Sequence, residues 1–245
     1  MKRMMLPALT LTMLLTATVK GAAQTPAASP LDLDGIMPDV RVREGEPDAV
    51  EFARRYLKSA PGARPQARAQ DAAPPADQPS PRTDTNSQLA HAQLLEKARK
   101  GRIDVYFLGD SITRRWGTSD EQYKAFFENW RQNFFGWNAA NFGWGGDTTQ
   151  NILWRLSNGE LDDVNPKVIV LMAGTNNVGN RSPQGAEDPR AADTARGIKA
   201  ILDLCRRKAP RATIVLMGIT PRNDNAAVMP IIDEINERIA KFADG

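Results

Sequence analysis

The 245-residue sequence has very few of the residues that form disulfides or bind metals. Cys205 is its one cysteine and His91 its one histidine. A single cysteine cannot form an intrachain disulfide, and the clustered Cys or His ligands of a zinc site are absent from the sequence. After the first 23 residues there is also no apolar run approaching the about 20 residues that span a bilayer. We therefore expect a protein stabilised by packing, with no metal and no cofactor.

Residues 1–23 have the composition of a secretory signal. Lys2 and Arg3 precede an apolar stretch at residues 4–19, and small residues follow before Gln24. The alternative is an uncleaved membrane anchor, but the stretch is short and contains Pro7. The pattern favours cleavage and export, which predicts a free periplasmic or extracellular protein without a stable membrane anchor.

The net charge of +3 belongs to that signal. Lys2, Arg3 and Lys20 all lie within it, so cleavage leaves 3 − 3 = 0. A chain near neutrality lacks the broad basic field that attracts phosphate backbones. The sequence therefore predicts no nucleic-acid partner.

Residues 24–86 are rich in Pro and Ala and lack sustained apolar periodicity, which predicts a disordered linker. Within it, residues 48–58 have the spacing of one short amphipathic helix. From Ser87 to Gly245 strand-like and helical segments alternate, which is typical of an α/β domain with a parallel sheet. Ser87 is the predicted cap of the first helix of this domain.

Two apolar runs in this domain, residues 168–172 and 214–217, are predicted to be strands buried on both faces. Cys205 falls on the apolar face of the helix between them, which predicts a core position. The last predicted helix carries Ile231 and Ile235 and runs almost to Gly245. We expect one more parallel strand after it, because otherwise the sheet edge stays open.

Three polar turns follow predicted strands. They are Gly109-Asp110-Ser111, residues 141–147 with three glycines, and Gly174-Thr175-Asn176. Because parallel strands end at the same edge of a sheet, these turns are expected to meet in one crevice. A serine there, with a glycine amide and an asparagine amide as donors, suits ester cleavage through an oxyanion.

Binding loops for nucleotides fit the same turns poorly. A dinucleotide loop starting at Gly143 and Gly145 would need a third glycine where Thr148 stands. The Gly-Lys-Ser/Thr ending of a phosphate loop is also absent. No nucleotide cofactor is therefore predicted.

The three turns resemble the first three sequence blocks of the SGNH (GDSL-like) hydrolase family. The run from Asn141 to Asn177 is particularly similar to the catalytic α-subunits of platelet-activating-factor acetylhydrolase and their bacterial relatives. The resemblance covers about residues 88–245 and implies a three-layer, flavodoxin-like α/β/α fold. It also implies a serine esterase, in a family whose members hydrolyse acyl esters of lipids, carbohydrates and small alcohols. For this chain we expect short acyl groups, chiefly acetyl, on a carbohydrate or lipid-like alcohol.

By the same resemblance, Ser111 is the nucleophile and Asp110 is its structural neighbour. The oxyanion donors are the backbone N–H groups of Ser111 and Gly146 and the side chain of Asn176. Gly146 is chosen over Gly143 and Gly145 because the family's glycine immediately precedes Asp-Thr-Thr. The loop at residues 179–193 and three tryptophans are candidate walls for the substrate, although core packing is the competing interpretation of the tryptophans: Trp116, Trp137 and Trp144.

The sequence departs from the family at its end, because the C-terminal Asp-x-x-His block is absent. His91 precedes Ser111 by 111 − 91 = 20 residues, whereas the family order is Ser, Asp, His, so His91 is predicted to be a structural or solvated helix residue. Without a base the Ser111 hydroxyl is a poor nucleophile. We expect a truncated, nearly inactive esterase, and the alternative is a non-catalytic binding module that keeps the crevice.

Overall fold

The computed structural model describes residues 73–185 and 187–243. The predicted signal, the helix at 48–58 and most of the predicted linker lie outside these residues. Helices and strands alternate from Thr85 onward, with short 3₁₀ or π turns between some of them. In chain order they are α1 (Thr85–Lys100), β1 (Val105–Gly109), α2 (Ser111–Trp116), α3 (Lys124–Phe134), β2 (Ala139–Gly143), α4 (Thr149–Arg155), β3 (Val168–Met172), α5 (Thr175–Val178), α6 (Pro189–Lys208), β4 (Thr213–Leu216) and α7 (Met229–Ile239).

The described strands form one parallel sheet in the order β2-β1-β3-β4. This order matches the first four strands of flavodoxin-like folds, in which ligands bind beyond the strand ends between β1 and β3. Gly109, at the end of β1, pairs with Gly143 of β2 and with Met172 of β3. The turns after these three strands therefore leave the sheet at the same level.

One face of the sheet holds the main core. Side chains alternate along a strand, so Tyr106, Leu108, Ile169 and Leu171 point to the same side and are fully buried. They belong to one apolar cluster with residues of α1, α4, α6 and α7. Cys205 of α6 is buried in this cluster, which confirms its predicted core position, and burial raises the pKa of its thiol to about 12.

The opposite face is covered over only part of its width. Phe107 of β1 makes edge contacts with Trp116 of α2 and with Trp130 and Phe134 of α3. Helices therefore lie on both faces of the sheet, in an α/β/α arrangement. No described helix covers β4 on this side.

The expectation that residues 214–217 form a strand buried on both faces is wrong. Val215 is 46% exposed and Met217 38% exposed. The apolar run does form β4, and Ile214 and Leu216 pack against the core, but the other face lacks a covering helix among the described residues. The apolar composition of this run predicted the strand β4. It did not predict which faces of β4 would be covered by helices.

Residues 73–84, called here the N-terminal strap, pack against α4 and α6 although composition had placed them in the linker. The Thr149 hydroxyl donates to the Ala76 carbonyl (2.8 Å), and Gln150 Nε2 donates to the Pro74 carbonyl (2.8 Å). Gly197 allows this approach, since a Cβ there would lie 2.6 Å from the Ala76 oxygen. Polar side chains of α4, together with Asp193 of α6, thus form the hydrogen bonds that this irregular backbone needs.

Helix α1 begins earlier than predicted. Its cap is Asp84, whose carboxylate accepts from the Ser87 amide at 2.9 Å, so Ser87 lies inside the helix rather than capping it. No helix in the described ranges is long and apolar enough to cross a membrane.

Candidate active site

Ser111 is the first residue of α2, directly beyond the end of β1. Asp110 caps this helix, because its carboxylate accepts from the Ile112 amide at 2.9 Å. Asp110 is buried, and burial raises the pKa of its carboxyl group while the Ile112 hydrogen bond opposes the shift. Ser111 is only partly buried, so the cap holds the start of the helix while the serine stays accessible.

The glycine turn, residues 143–147, follows β2 and lies against the start of α2. A Cβ on Gly143 would lie 2.4 Å from the Arg114 amide nitrogen, so only glycine permits this approach. The Trp144 amide then donates to the Gly109 carbonyl at 3.2 Å, which ties the ends of β1 and β2 together. Gly146 has a φ of +79°, a conformation that favours glycine.

Asn176 joins the end of β3 to the glycine turn. It lies in the short helix α5, and its side-chain Nδ2 donates to the Asp147 carbonyl at 2.7 Å. The neighbouring Asn177 points instead at α4, where its Oδ1 accepts from the Thr149 amide at 3.0 Å. The structure thus brings Asn176 to the residue next to Gly146, and it places Ser111 at the same edge of the sheet.

A buried ionic network lies beneath this edge. Arg155 of α4 is 4% exposed, and its Nε donates to Asp147 Oδ2 at 2.7 Å. Its Nη1 pairs with Glu160 Oε2, and Glu160 Oε1 lies 2.7 Å from His91 Nδ1. Removing one partner of a buried ion pair typically costs about 3–5 kcal/mol, so these residues are expected to be important for folding.

Asp147 has one well-paired and one poorly paired oxygen. Its Oδ1 is buried without a hydrogen-bond partner among the described residues, and Arg82 Nη1 lies 3.7 Å from it. Burial therefore raises the pKa of Asp147 to about 6, although the charge of Arg155 opposes the shift. The Asp147 carboxyl group is thus expected to titrate near pH 6.

The His91 side chain is part of this buried network. Its ring is 3% exposed, is bonded to Glu160 and lies 4.8 Å from the Trp154 ring centroid. The Ser111 hydroxyl, in turn, has no hydrogen-bond partner within residues 73–185 and 187–243. The described residues therefore supply Ser111 with no imidazole, in agreement with the structural role predicted for His91.

The three candidate wall tryptophans have different environments. Trp116 packs in the aromatic cluster around Phe107, and Trp137, two residues before β2, is 59% exposed. Trp144 stands in the glycine turn, where its Nε1 donates to the Ser87 hydroxyl at 2.9 Å and the Arg114 guanidinium lies over its ring. Of the three, Trp144 is the one placed in a turn of the candidate site.

Sequence reasoning missed Arg155 and Arg82, two arginines that contact this site. Arg155 follows Ile152 on the core-facing side of α4, and a cation on such a face is the available signal of a buried ion pair. Arg82 lies in the N-terminal strap and donates to the Gly145 carbonyl at 3.1 Å. Nothing in the Pro/Ala-rich composition around Arg82 indicates that contact.

The fold and the site together define an α/β protein with a serine, a glycine turn and an asparagine at adjacent ends of parallel strands. Residues 107–245 match the GDSL-like lipase/acylhydrolase family, and the chain belongs to this family. This match confirms the family resemblance that the sequence motifs indicated.

Two relatives of the chain are subunits of platelet-activating factor acetylhydrolase. The chain is 36% identical over 134 residues to platelet-activating factor acetylhydrolase IB subunit alpha2 of Gallus gallus, covering 55% of this chain and 51% of that protein. It is 35% identical over 155 residues to subunit alpha1 of Homo sapiens. The chain thus spans about half the length of the curated relatives that it matches.

Among solved structures, the chain resembles a GDSL-like lipase from Bacteroides thetaiotaomicron. The two share 20% sequence identity with a TM-score of 0.46, over 62% of this chain and 72% of that one.

Proposed function

We propose that the protein is a serine esterase in which Ser111 forms an acyl-enzyme. The Ser111 oxygen attacks the ester carbonyl carbon, and its proton passes to a base. The resulting oxyanion accepts hydrogen bonds from the N–H groups of Ser111 and Gly146 and from the Asn176 side chain. Collapse of this intermediate expels the alcohol, and water then hydrolyses the acyl group from Ser111.

The hydrogen bond between Asn176 and Asp147 is the observation that carries this proposal. A side-chain amide has two N–H donors, and one of them is used at the Asp147 carbonyl. The second donor is thereby oriented and remains available for an oxyanion. A preorganised donor of this kind is worth about 3 kcal/mol in the transition state.

We also propose that the acid and base are an Asp-x-x-His pair carried by a segment beyond Gly245. The single histidine of this sequence, His91, is hydrogen-bonded to Glu160. The uncovered face of β4, with Val215 and Met217, offers apolar surface for such a segment. On this proposal the 245-residue chain alone is nearly inactive, because Ser111 remains protonated.

For the substrate we propose esters of short acyl groups, chiefly acetyl, with a carbohydrate or lipid-like alcohol. The names of the matched relatives, acetylhydrolase subunits, support the acetyl group. The signal predicted at residues 1–23 supports an exported enzyme that meets such esters in the periplasm or outside the cell. Detection of the mature N-terminus at Gln24 in an exported fraction would support export, whereas an uncleaved cytoplasmic chain would overturn it.

Hydrolysis of 4-nitrophenyl acetate tests the esterase proposal, with imidazole added as an external base. After subtraction of the direct reaction between imidazole and the ester, we expect imidazole to raise a rate that depends on Ser111 and is absent from Ser111→Ala. A chain extended by the downstream reading frame should hydrolyse the ester without imidazole. Equal rates for both chains and their Ser111→Ala variants would overturn the proposal and favour a binding module that retains the crevice.

A further inference from the structure

Arg155 has an unusual position for a charged residue. It is the last residue of α4 and is almost fully buried. It lies on the protein-interior side of the glycine turn, where it contacts Asp147. Burial opposes its charge, but Glu160 and Asp147 more than compensate and raise its pKa. The guanidinium is therefore charged, and each of its three nitrogens donates a hydrogen bond.

Two of the Arg155 contacts are made to strand ends. Its Nη2 donates to the Phe142 carbonyl of β2 at 3.1 Å and approaches the Gly109 carbonyl of β1 at 3.5 Å. Gly109 is two residues before Ser111, and Phe142 directly precedes the glycine turn. One planar group thus bridges the end of the strand that leads to Ser111 and the end of the strand that leads to Gly146.

A third contact reaches the turn itself. Arg155 Nε holds the Asp147 carboxylate at 2.7 Å, and the Asp147 carbonyl accepts the Asn176 amide at 2.7 Å. Arg155 is therefore linked to Asn176 through a single residue, the one that follows Gly146. We propose that Arg155 is a positioning residue that sets the relative geometry of the three oxyanion donors, an inference that rests on the proposed function of Ser111.

The other side of the guanidinium is held in place by residues outside the site. Glu160 binds Nη1 and is itself bonded to His91, while the Tyr106 hydroxyl donates to the Glu160 carbonyl at 3.1 Å. This anchor gives the test a natural control. Tyr106→Phe weakens the anchor without removing any contact to the strand ends or to Asp147.

The test compares Arg155→Lys and Tyr106→Phe with the native chain. Lysine keeps the positive charge but lacks the planar fork that reaches Asp147 and the Phe142 carbonyl together. One readout is the NMR resonance of the Asn176 side-chain amide. The other is phosphonylation of Ser111 by a fluorophosphonate with added imidazole, resolved into an inhibitor affinity and a maximal rate.

For Arg155→Lys we expect a shifted Asn176 resonance and a maximal rate lowered about 10- to 100-fold with little change in affinity, because donor geometry is altered. Tyr106→Phe should lower the melting temperature and leave both readouts unchanged. A folded Arg155→Lys variant with a native resonance and native rate would overturn the proposal. If that variant does not fold, Asp147→Ala provides the same decision, because it removes the carboxylate that Arg155 binds and keeps the main-chain carbonyl that accepts from Asn176. Unchanged readouts in Asp147→Ala would overturn the proposal.

The two proposals fail in different ways. If the native chain is not phosphonylated at Ser111, the esterase proposal fails. The Asn176 resonance still decides whether Arg155 sets the position of that side chain, since it does not depend on any reaction.

Discussion

The side-chain Nδ2 of Asn176 lies 2.7 Å from the main-chain oxygen of Asp147. This single contact joins the turn after β3 to the turn after β2. It also distinguishes Asn176 from its neighbour Asn177, whose side chain is bonded to Thr149 and Gln150 of α4. Two adjacent asparagines therefore have separate roles.

Substitution of these asparagines should separate reactivity from stability. Asn176→Ala removes a proposed oxyanion donor and should lower the rate of Ser111 phosphonylation by about 10²–10³-fold. Asn177→Ala removes hydrogen bonds to α4 and should lower the free energy of unfolding by about 1–3 kcal/mol. Labelling kinetics and urea denaturation measure the two effects. If the two variants had the same labelling rate, the role assigned to Asn176 would be incorrect.

Gly146→Ala should destabilise the protein, and Gly145→Ala should not. The positive φ of Gly146 costs an L-residue roughly 1–2 kcal/mol, and the new Cβ would lie 3.1 Å from Arg82 Nη1. Gly145 has no heavy atom within 4 Å of a Cβ position and no positive φ, so alanine there should change stability by less than about 0.5 kcal/mol. Thermal unfolding of both variants checks this difference, and equal losses would contradict the described turn.

The Asp147 carboxyl group should titrate near pH 6 in the folded protein. Because this pKa is raised, the folded state binds the proton more tightly than the unfolded chain does. Protonated Asp147 therefore stabilises the fold at low pH, and this contribution is lost as the pH rises from about 4 to about 6. Carboxyl ¹³C NMR measures the midpoint directly. A midpoint at or below 4 would show that the Arg155 charge outweighs burial.

Alanine substitutions on the two faces of the sheet should have unequal costs. Leu171 is fully buried, so Leu171→Ala should lower the free energy of unfolding by about 2–5 kcal/mol. Val215 is 46% exposed, and Val215→Ala should cost less than about 1 kcal/mol. Chemical denaturation compares them. A large loss for Val215→Ala would mean that the face of β4 is covered in solution.

The sequence predicted the parallel sheet, because alternation of helical and strand patterns is a local property of the chain. It also predicted the turns that contain Ser111, Gly146 and Asn176, since each directly follows an apolar strand. It did not predict the Arg155 network, in which four side chains meet from separate segments. The packing of the N-terminal strap was not predicted for the same reason. It depends on contacts with α4 and α6 and not on the composition of the strap itself.

Whether a helix covers the outer face of β4 could also not be predicted from the local sequence. An apolar run indicates a strand, but the exposure of Val215 depends on which helices pack nearby. The same limit applies to His91, because its buried contact with Glu160 joins residues 69 positions apart.

Mass mapping of the phosphonylated residue tests the central claim most directly. The native chain is incubated with a fluorophosphonate and imidazole, digested, and analysed beside Ser111→Ala and Asn176→Ala. We predict a single adduct on the peptide that contains Ser111, absent from Ser111→Ala and formed far more slowly in Asn176→Ala. An adduct at another residue, or equal labelling of the native and Ser111→Ala chains, would contradict the assignment of Ser111 as the nucleophile.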